Sequence, residues 1–303
     1  MSIVPNGARV SASERVQSLR GDAWRRLRRN KLALAALVYV TIITLATLTA
    51  DLWVPPLFGD PQAIDTQTMA HDRLLPPSPR HPFGTDDLGR DMFGQVVYGA
   101  RASLTVGVGA VLISVLIGVV LGAVAAHYGK LTDSAIMRVT DAFLVFPVIL
   151  VYVLVAGLLD MRGVLPVMLA LGLFGWPGFA RIFRGSVLTV KERDYVDAGR
   201  AMGASNKRLM FRHITPNAVS PILVLGTMTI GAAILAESAL SYLGIGIQHP
   251  AISWGDMISS GRPLMTSAPA LVVFPGAAIV GTVLAFTLLG DGIRDALDVK
   301  MKA

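Results

Sequence analysis

The chain has 303 residues, 53% of them hydrophobic and 16% charged, with a mean hydropathy of +0.60. Soluble domains carry roughly 25% charged residues, and disorder needs low hydrophobicity with high charge, so neither class fits. The absence of cysteine excludes a disulfide framework, a thiolate zinc site and a cysteine nucleophile. A formal charge of +7, from 27 basic and 20 acidic residues, suits either a nucleic-acid binder or a membrane protein with basic loops on one side. The positions of the charges decide between them.

A bilayer-spanning helix needs about 20 predominantly apolar residues. Six charge-free windows meet that length: Leu32–Ala50, Ala102–Ala126, Ala142–Leu159, Gly163–Ala180, Ile214–Ala236 and Pro263–Gly290. Each is hydrophobic all round, and bare backbone groups find no partner in lipid, so each is expected to be a helix. The first window runs to 19 residues, longer than the apolar region of a cleaved signal, which spans roughly 7–15. It reads as a retained first helix. Within the second, Gly118 and Gly122 form a GxxxG face suited to close helix packing.

Six spans place both termini on one side. That side holds 21 of the 27 Lys and Arg residues, eight of them in the N-terminal tail and eight in residues 181–213. The positive-inside rule then predicts that both termini are cytoplasmic, and the basic excess requires no nucleic acid. The expected organisation is a cytoplasmic tail (1–31), a first transmembrane helix (32–50), an extracytoplasmic loop (51–101), a five-helix core (102–292) and a cytoplasmic C-terminal tail (293–303).

Two polar segments are too long to be turns. Residues 51–101 hold 7 of the 17 prolines and seven aspartates. No long helix is expected to cross them, and a loop of this length is often functional. With residues 247–262 it is expected to receive an external partner. The second segment, Arg181–His213, includes a stretch that reads as a short helix and a turn. Tyr195, Ala198 and Met202 recur at helical spacing. Gly199 and Gly203, one turn apart, suit either close approach of another backbone or a helix end. A charged helix of this kind fits a partner's groove or a lipid surface.

At this segment the chain resembles the permease subunits of ATP-binding-cassette importers. Their EAA motif places an acidic-Ala-Ala triplet before a Gly, with a Pro thirteen residues after that Gly. Here Asp197-Ala198-Gly199 stands for the triplet, Gly203 for the Gly and Pro216 for the Pro. The triplet departs from the pattern with Asp for Glu and Gly for Ala, and Thr215 stands where relatives usually have Leu. Four further stretches resemble the C-type permease of dipeptide, oligopeptide, glutathione and nickel importers. They are His81–Asp91 followed by Tyr98–Leu104; Met137-Arg138 with Asp141 and Phe146-Pro147; Leu240–Gly246 with Ser253-Trp254-Gly255; and Leu289–Asp298.

The resemblance implies an all-α fold of the type I importer permease in a prokaryotic inner membrane. It implies a homologous permease as partner, two cytoplasmic ATPases that bind ATP and Mg, and an extracytoplasmic solute-binding protein. Within the coupling segment (187–213), Asp194, Tyr195, Asp197, Ala198, Gly199, Arg200, Gly203 and Ser205 are then expected to engage an ATPase. The chain has no Gly-x-x-x-x-Gly-Lys-Ser/Thr, so it lacks the usual phosphate cradle and reads as a non-catalytic subunit. An ion-coupled secondary transporter is the alternative class, but it would usually carry internal repeats.

Among individual residues, Glu237 lies close to membrane depth and marks a functional candidate, with Ser241 beside it, for the translocation path. Asp141 is expected to pair with Arg138 or another nearby arginine. Pro147 and Pro216 are expected to be structural. The five histidines (His71, His81, His127, His213 and His249) show no ligand spacing, and neither a metal site nor a cofactor site is expected.

Overall fold

The structure, a computed structural model, describes residues 19–63, 71–158 and 163–297. Most of the N-terminal tail, part of the 51–101 loop and the end of the C-terminal tail therefore lie outside the described residues. Among those described, regular structure is helical apart from one isolated antiparallel bridge between Thr85 and Asp91.

The helices in chain order are α1 (Leu19–Arg29), α2 (Lys31–Leu48), α3 (Ala50–Phe58), α4 (Met92–Tyr128), α5 (Lys130–Val145), α6 (Val148–Leu158) and α7 (Val164–Phe174). They continue with α8 (Trp176–Lys191), α9 (Asp194–Ala201), α10 (Asn206–Leu209), α11 (Thr215–Ala218), α12 (Ser220–Tyr242), α13 (Trp254–Gly261) and α14 (Ala270–Leu297). A π-turn covers Met210–Ile214.

By length and composition α2, α4, α12 and α14 can each cross a bilayer as one helix. The third and fourth expected spans are broken instead. The helix pair α5 and α6 is bent by 85° and the pair α7 and α8 by 40°, which gives up to six spans if each pair counts as one. The first break has a local cause. Proline disfavours the α region for the residue before it, and Phe146, ahead of Pro147, is extended at φ −81°, ψ 134°. The second falls at Gly175, with Pro177 in the first turn of α8. Proline there removes a helical N–H, and its ring crowds the carbonyl four residues back.

The helix α4 starts ten residues before the apolar window, because its polar first turns are satisfied locally. Asp91 caps it, accepting from the Gly94 N–H at 2.8 Å. Arg101 spends its charge on Asp51 at 2.9 Å and on the Thr47 carbonyl at 3.0 Å. The proline-rich loop carries only the nine-residue α3, which contains Pro55 and Pro56 and ends at Gly59 with φ +78°.

In lipid, helix association rests on close packing, and α4 is the central element, lying against α2, α7, α8 and α12. Its GxxxG face meets α8. A Cβ on Gly118 would fall 2.5 Å from Phe179 Cβ, and one on Gly122 would fall 2.6 Å from the Ala180 carbonyl oxygen. Ion pairs fix α5 to the same helix: Asp133 with Arg184, and Asp141 with Arg181. The core divides into a cluster around Phe179, Phe183 and Ile214, one around Trp254, Ile234 and Met257, and one around Val106, Val167 and Leu240.

Candidate functional site

The segment between α8 and α12 is built by local rules. The helix α8 ends at Lys191, whose Nζ donates to the Ala126 carbonyl near the end of α4 at 2.5 Å. A cation there offsets the negative end of the helix dipole. The next helix, α9, is eight residues long, too short to hold itself in water. Val196 anchors it, fully buried with Phe183, Val187, Leu209, Met210 and Ile214. Burying a valine contributes about 1.5–3 kcal/mol.

The helix ends in a Schellman motif. The Ala204 N–H donates to the Gly199 carbonyl at 3.0 Å and the Gly203 N–H to the Arg200 carbonyl at 2.9 Å. Gly203 sits at φ +82°, and a Cβ there would meet nothing within 4 Å. Within this chain Gly203 is therefore the helix-ending residue, not a close-approach point. Gly199 is the tight one: a Cβ there would lie 2.9 Å from Leu209 Cδ2. Ser205 caps α10, accepting from the Arg208 N–H at 3.4 Å.

With Val196 turned inward, the residues of the expected stripe face out. Tyr195 is 47% exposed and Met202 82%, and Ala198 is exposed between them. Asp194 is also exposed, and Asp197 pairs with Arg200 at 2.9 Å on the same short helix. Phe211, on the π-turn, is 74% exposed; nothing in the spacing singled it out. Pro216 explains the wide turn before it, because it supplies no N–H to continue the α ladder. The Asn217 side chain also donates to the His213 carbonyl at 2.6 Å.

Glu237 and Ser241 lie elsewhere, inside the chain. Glu237 is fully buried. Ser103 and Ser241 donate to its two carboxylate oxygens at 2.8 Å each, and Ser238 adds a longer bond at 3.3 Å. The Ile247 N–H donates in turn to the Ser241 hydroxyl at 2.9 Å. The geometry is that of a packed polar node joining α4, α12 and the segment after it. Ser103 was not singled out by the sequence, since a serine in an apolar helix gives no signal of its distant partner.

The segment after α12 docks tightly around this node. A Cβ on Gly246 would lie 2.5 Å from the Ser241 nitrogen, and one on Gly255 would collide with the Ser238 carbonyl. Trp254 is fully buried, and its Nε1–H donates to the Val96 carbonyl at 2.9 Å. Gly99 leaves room for that ring; a Cβ would sit 3.0 Å from it. The Tyr98-Gly99-Ala100 and Ser253-Trp254-Gly255 stretches, far apart in sequence, thus meet.

The His81–Asp91 stretch is a knot that starts α4. Asp86 accepts from the Leu88 and Arg90 N–H groups at 2.9 and 2.8 Å. It also accepts from Arg90 Nε at 2.8 Å and Gln95 Nε2 at 2.9 Å. His81 Nδ1 lies 2.9 Å from Asp91. Gly84 and Gly89 turn the chain at φ +80° and +77°. Burial raises the Asp256 carboxyl above the ordinary range, with His249 and Arg90 opposing. In the same region, the Arg101 and Tyr98 hydrogen bonds hold Asp51 below it. Among the described residues no cluster of three or more His, Cys, Asp or Glu is placed to hold a metal.

Comparison with known proteins agrees with this architecture. Residues 118–303 match the family described as "Binding-protein-dependent transport system inner membrane component". Residues 18–77 match the "N-terminal TM domain of oligopeptide transport permease C". The chain is 40% identical to the dipeptide transport system permease protein DppC of Alkalihalophilus pseudofirmus over 282 residues, covering 93% of this chain and 90% of that protein. It is 40% identical to the oligopeptide transport system permease protein OppC of Bacillus subtilis, covering 98% and 96%. The glutathione transport system permease protein GsiD of Pectobacterium atrosepticum is also 40% identical, covering 93% and 91%. Among solved structures, a chain of the inward-facing MetNI methionine ABC transporter superposes with a TM-score of 0.56 at 17% identity. That match covers 68% of this chain and 97% of the other, and it establishes the fold. This all-helical, multi-pass chain belongs to the family of inner membrane components of binding-protein-dependent transport systems, as a permease of the dipeptide and oligopeptide type.

Proposed function

We propose that the chain forms half of the translocation path of an ATP-driven importer of dipeptides or oligopeptides. A homologous permease forms the other half. Both termini lie in the cytoplasm, and residues 51–101 and 247–262 receive an extracytoplasmic solute-binding protein. Two cytoplasmic ATPases bind ATP and Mg, and the segment 187–213 transmits their closure to the spans. The cargo follows from the names of the DppC and OppC relatives. Glutathione is a second reading, because the GsiD relative is as similar.

One observation carries the coupling role. The helix α9 is anchored on one side by buried Val196 and presents Tyr195, Ala198 and Met202 on the other. An apolar face held firmly by the chain's own core and left bare outside it suits a partner's groove. Asp194, Asp197 and Arg200 supply charges around that face, and Gly199, Gly203 and Ser205 fix its end and the turn that follows. The anchor joins α9 to α8, so displacement of α9 is passed directly to a membrane helix.

The test is reconstitution with the cognate permease, ATPases and binding protein in vesicles. Gly203→Val, which the left-handed backbone at that position excludes, is expected to lower co-purification of the ATPases or to uncouple hydrolysis from uptake, with the spans still inserted. Full assembly with normal substrate-stimulated hydrolysis would leave α9 as a helix lying on lipid. Competition of peptide uptake by excess glutathione separates the two cargoes.

A further inference from the structure

The helix α1 has no role in the mechanism above, yet its placement is specific. Asn30 separates it from α2 and caps that span, accepting from the Ala33 N–H at 3.2 Å. Leu27 leans on α14 near that helix's end, where a Cβ on Gly292 would lie 3.1 Å from Leu27 Cδ1. One bilayer-crossing helix starts and another ends beside α1, so α1 is held at the depth of the lipid headgroups. Its length of 11 residues corresponds to roughly 16 Å.

The side chains it displays there are chemically one-sided. Arg25, Arg26, Arg28 and Arg29 are exposed, followed by exposed Lys31 at the start of α2. Trp24 is 45% exposed, and the Arg28 guanidinium lies 4.7 Å from its ring centroid. The neighbouring end of α14 adds exposed Arg294 but also exposed Asp291 and Asp295. Among the described side chains, six exposed basic groups thus stand beside two exposed acidic ones. Tryptophan favours the membrane interface, and a basic helix with an aromatic residue at this depth binds anionic lipid surfaces.

We propose that α1 is a docking surface for phospholipids with anionic headgroups, with Arg28 and Arg29 contacting phosphate and Trp24 seated among the glycerol and upper acyl groups. The surface fixes the start of α2 and the end of α14 at the bilayer boundary. The inference requires only that the chain spans a membrane and does not depend on the role of α9.

The experiment equilibrates the solubilised full chain with equimolar phosphatidylglycerol and phosphatidylcholine of identical acyl chains, and quantifies the retained lipids by mass spectrometry. Wild type is expected to retain phosphatidylglycerol preferentially. Each arginine lost should lower that ratio by about fivefold, so R28Q/R29Q should lower it by at least several-fold while R28K/R29K keeps it. At about 1 M salt, where screening acts within roughly 3 Å, the wild-type preference should collapse, which tests the proposal even if a variant fails to fold. A wild-type ratio near one, an unchanged ratio in folded R28Q/R29Q, or a preference that persists in 1 M salt would overturn it. Loss of ATPase association in R28Q/R29Q without change in the lipid ratio would also overturn it, and would make α1 a protein-docking helix. Failure of the Gly203→Val test would leave the lipid readouts in place.

Discussion

Glu237 and Ser103 stand 134 positions apart and meet at 2.8 Å with no solvent access to the carboxylate. The contact ties α12 to α4, and Ser241 on the same carboxylate extends the tie to Ile247. Buried polar groups of this kind are costly unless all are satisfied.

Glu237→Ala would leave the Ser103 and Ser241 hydroxyls without their acceptor and open a cavity beside Trp254's segment. Together these effects should destabilise the chain by at least about 2 kcal/mol. Thermal unfolding in detergent checks this. A Glu237→Ala variant as stable as wild type, with altered uptake alone, would instead assign Glu237 to the translocation path.

Val196→Ala tests the anchor of α9. Removing two methyl groups at a fully buried site costs roughly 2 kcal/mol, a large fraction of what holds so short a helix. Hydrogen exchange should accelerate across Asp194–Ala201 and leave α4 and α12 protected, and uptake should fall more than ATPase binding. Exchange unchanged in α9 would mean that its position does not depend on Val196.

At Gly203 the cost of a side chain is set by backbone conformation, because φ is +82° and the surrounding space within the chain is open. An L-residue there is strained by about 1–2 kcal/mol, and asparagine tolerates that region best. Gly203→Asn should therefore retain most coupled hydrolysis and Gly203→Val should lose it. Equal loss in both variants would show that the partner groove, rather than the turn, excludes a side chain.

Asp256 predicts a dependence on pH. Burial raises its carboxyl above the ordinary 3.8, with His249 and Arg90 pulling the other way. The native state then binds this proton more tightly than the unfolded chain, so stability is fully present below about pH 3.8 and is lost as pH rises through the native value. Asp256→Asn removes the effect. The gap between variant and wild-type unfolding midpoints should widen as pH rises from about 3.5 toward 7. Parallel curves would mean that the group is not desolvated in the native state.

The sequence alone determined much of this protein. Charge-free windows located four unbroken helices, since lipid allows no other backbone solution, and the Asp197–Gly203 and His81–Asp91 motifs carried the family resemblance. Two broken spans were not visible in apolar length, because Pro147 and Pro177 change direction without changing hydropathy. The GxxxG of Gly118 and Gly122 was legible as a packing face, but its partner, α8, was not. Val196 looked like one more apolar residue beside Tyr195; only the fold decided which faced the core and which faced out. Asp141 was expected to pair with an arginine, and the structure selected Arg181, forty positions away, over Arg138. Glu237 read as a polar residue near membrane depth, and separate segments had to converge before its serine partners came into place. Periodicity and hydropathy act within a helix turn or a membrane thickness, whereas these pairings join residues that only three-dimensional packing brings within hydrogen-bond reach.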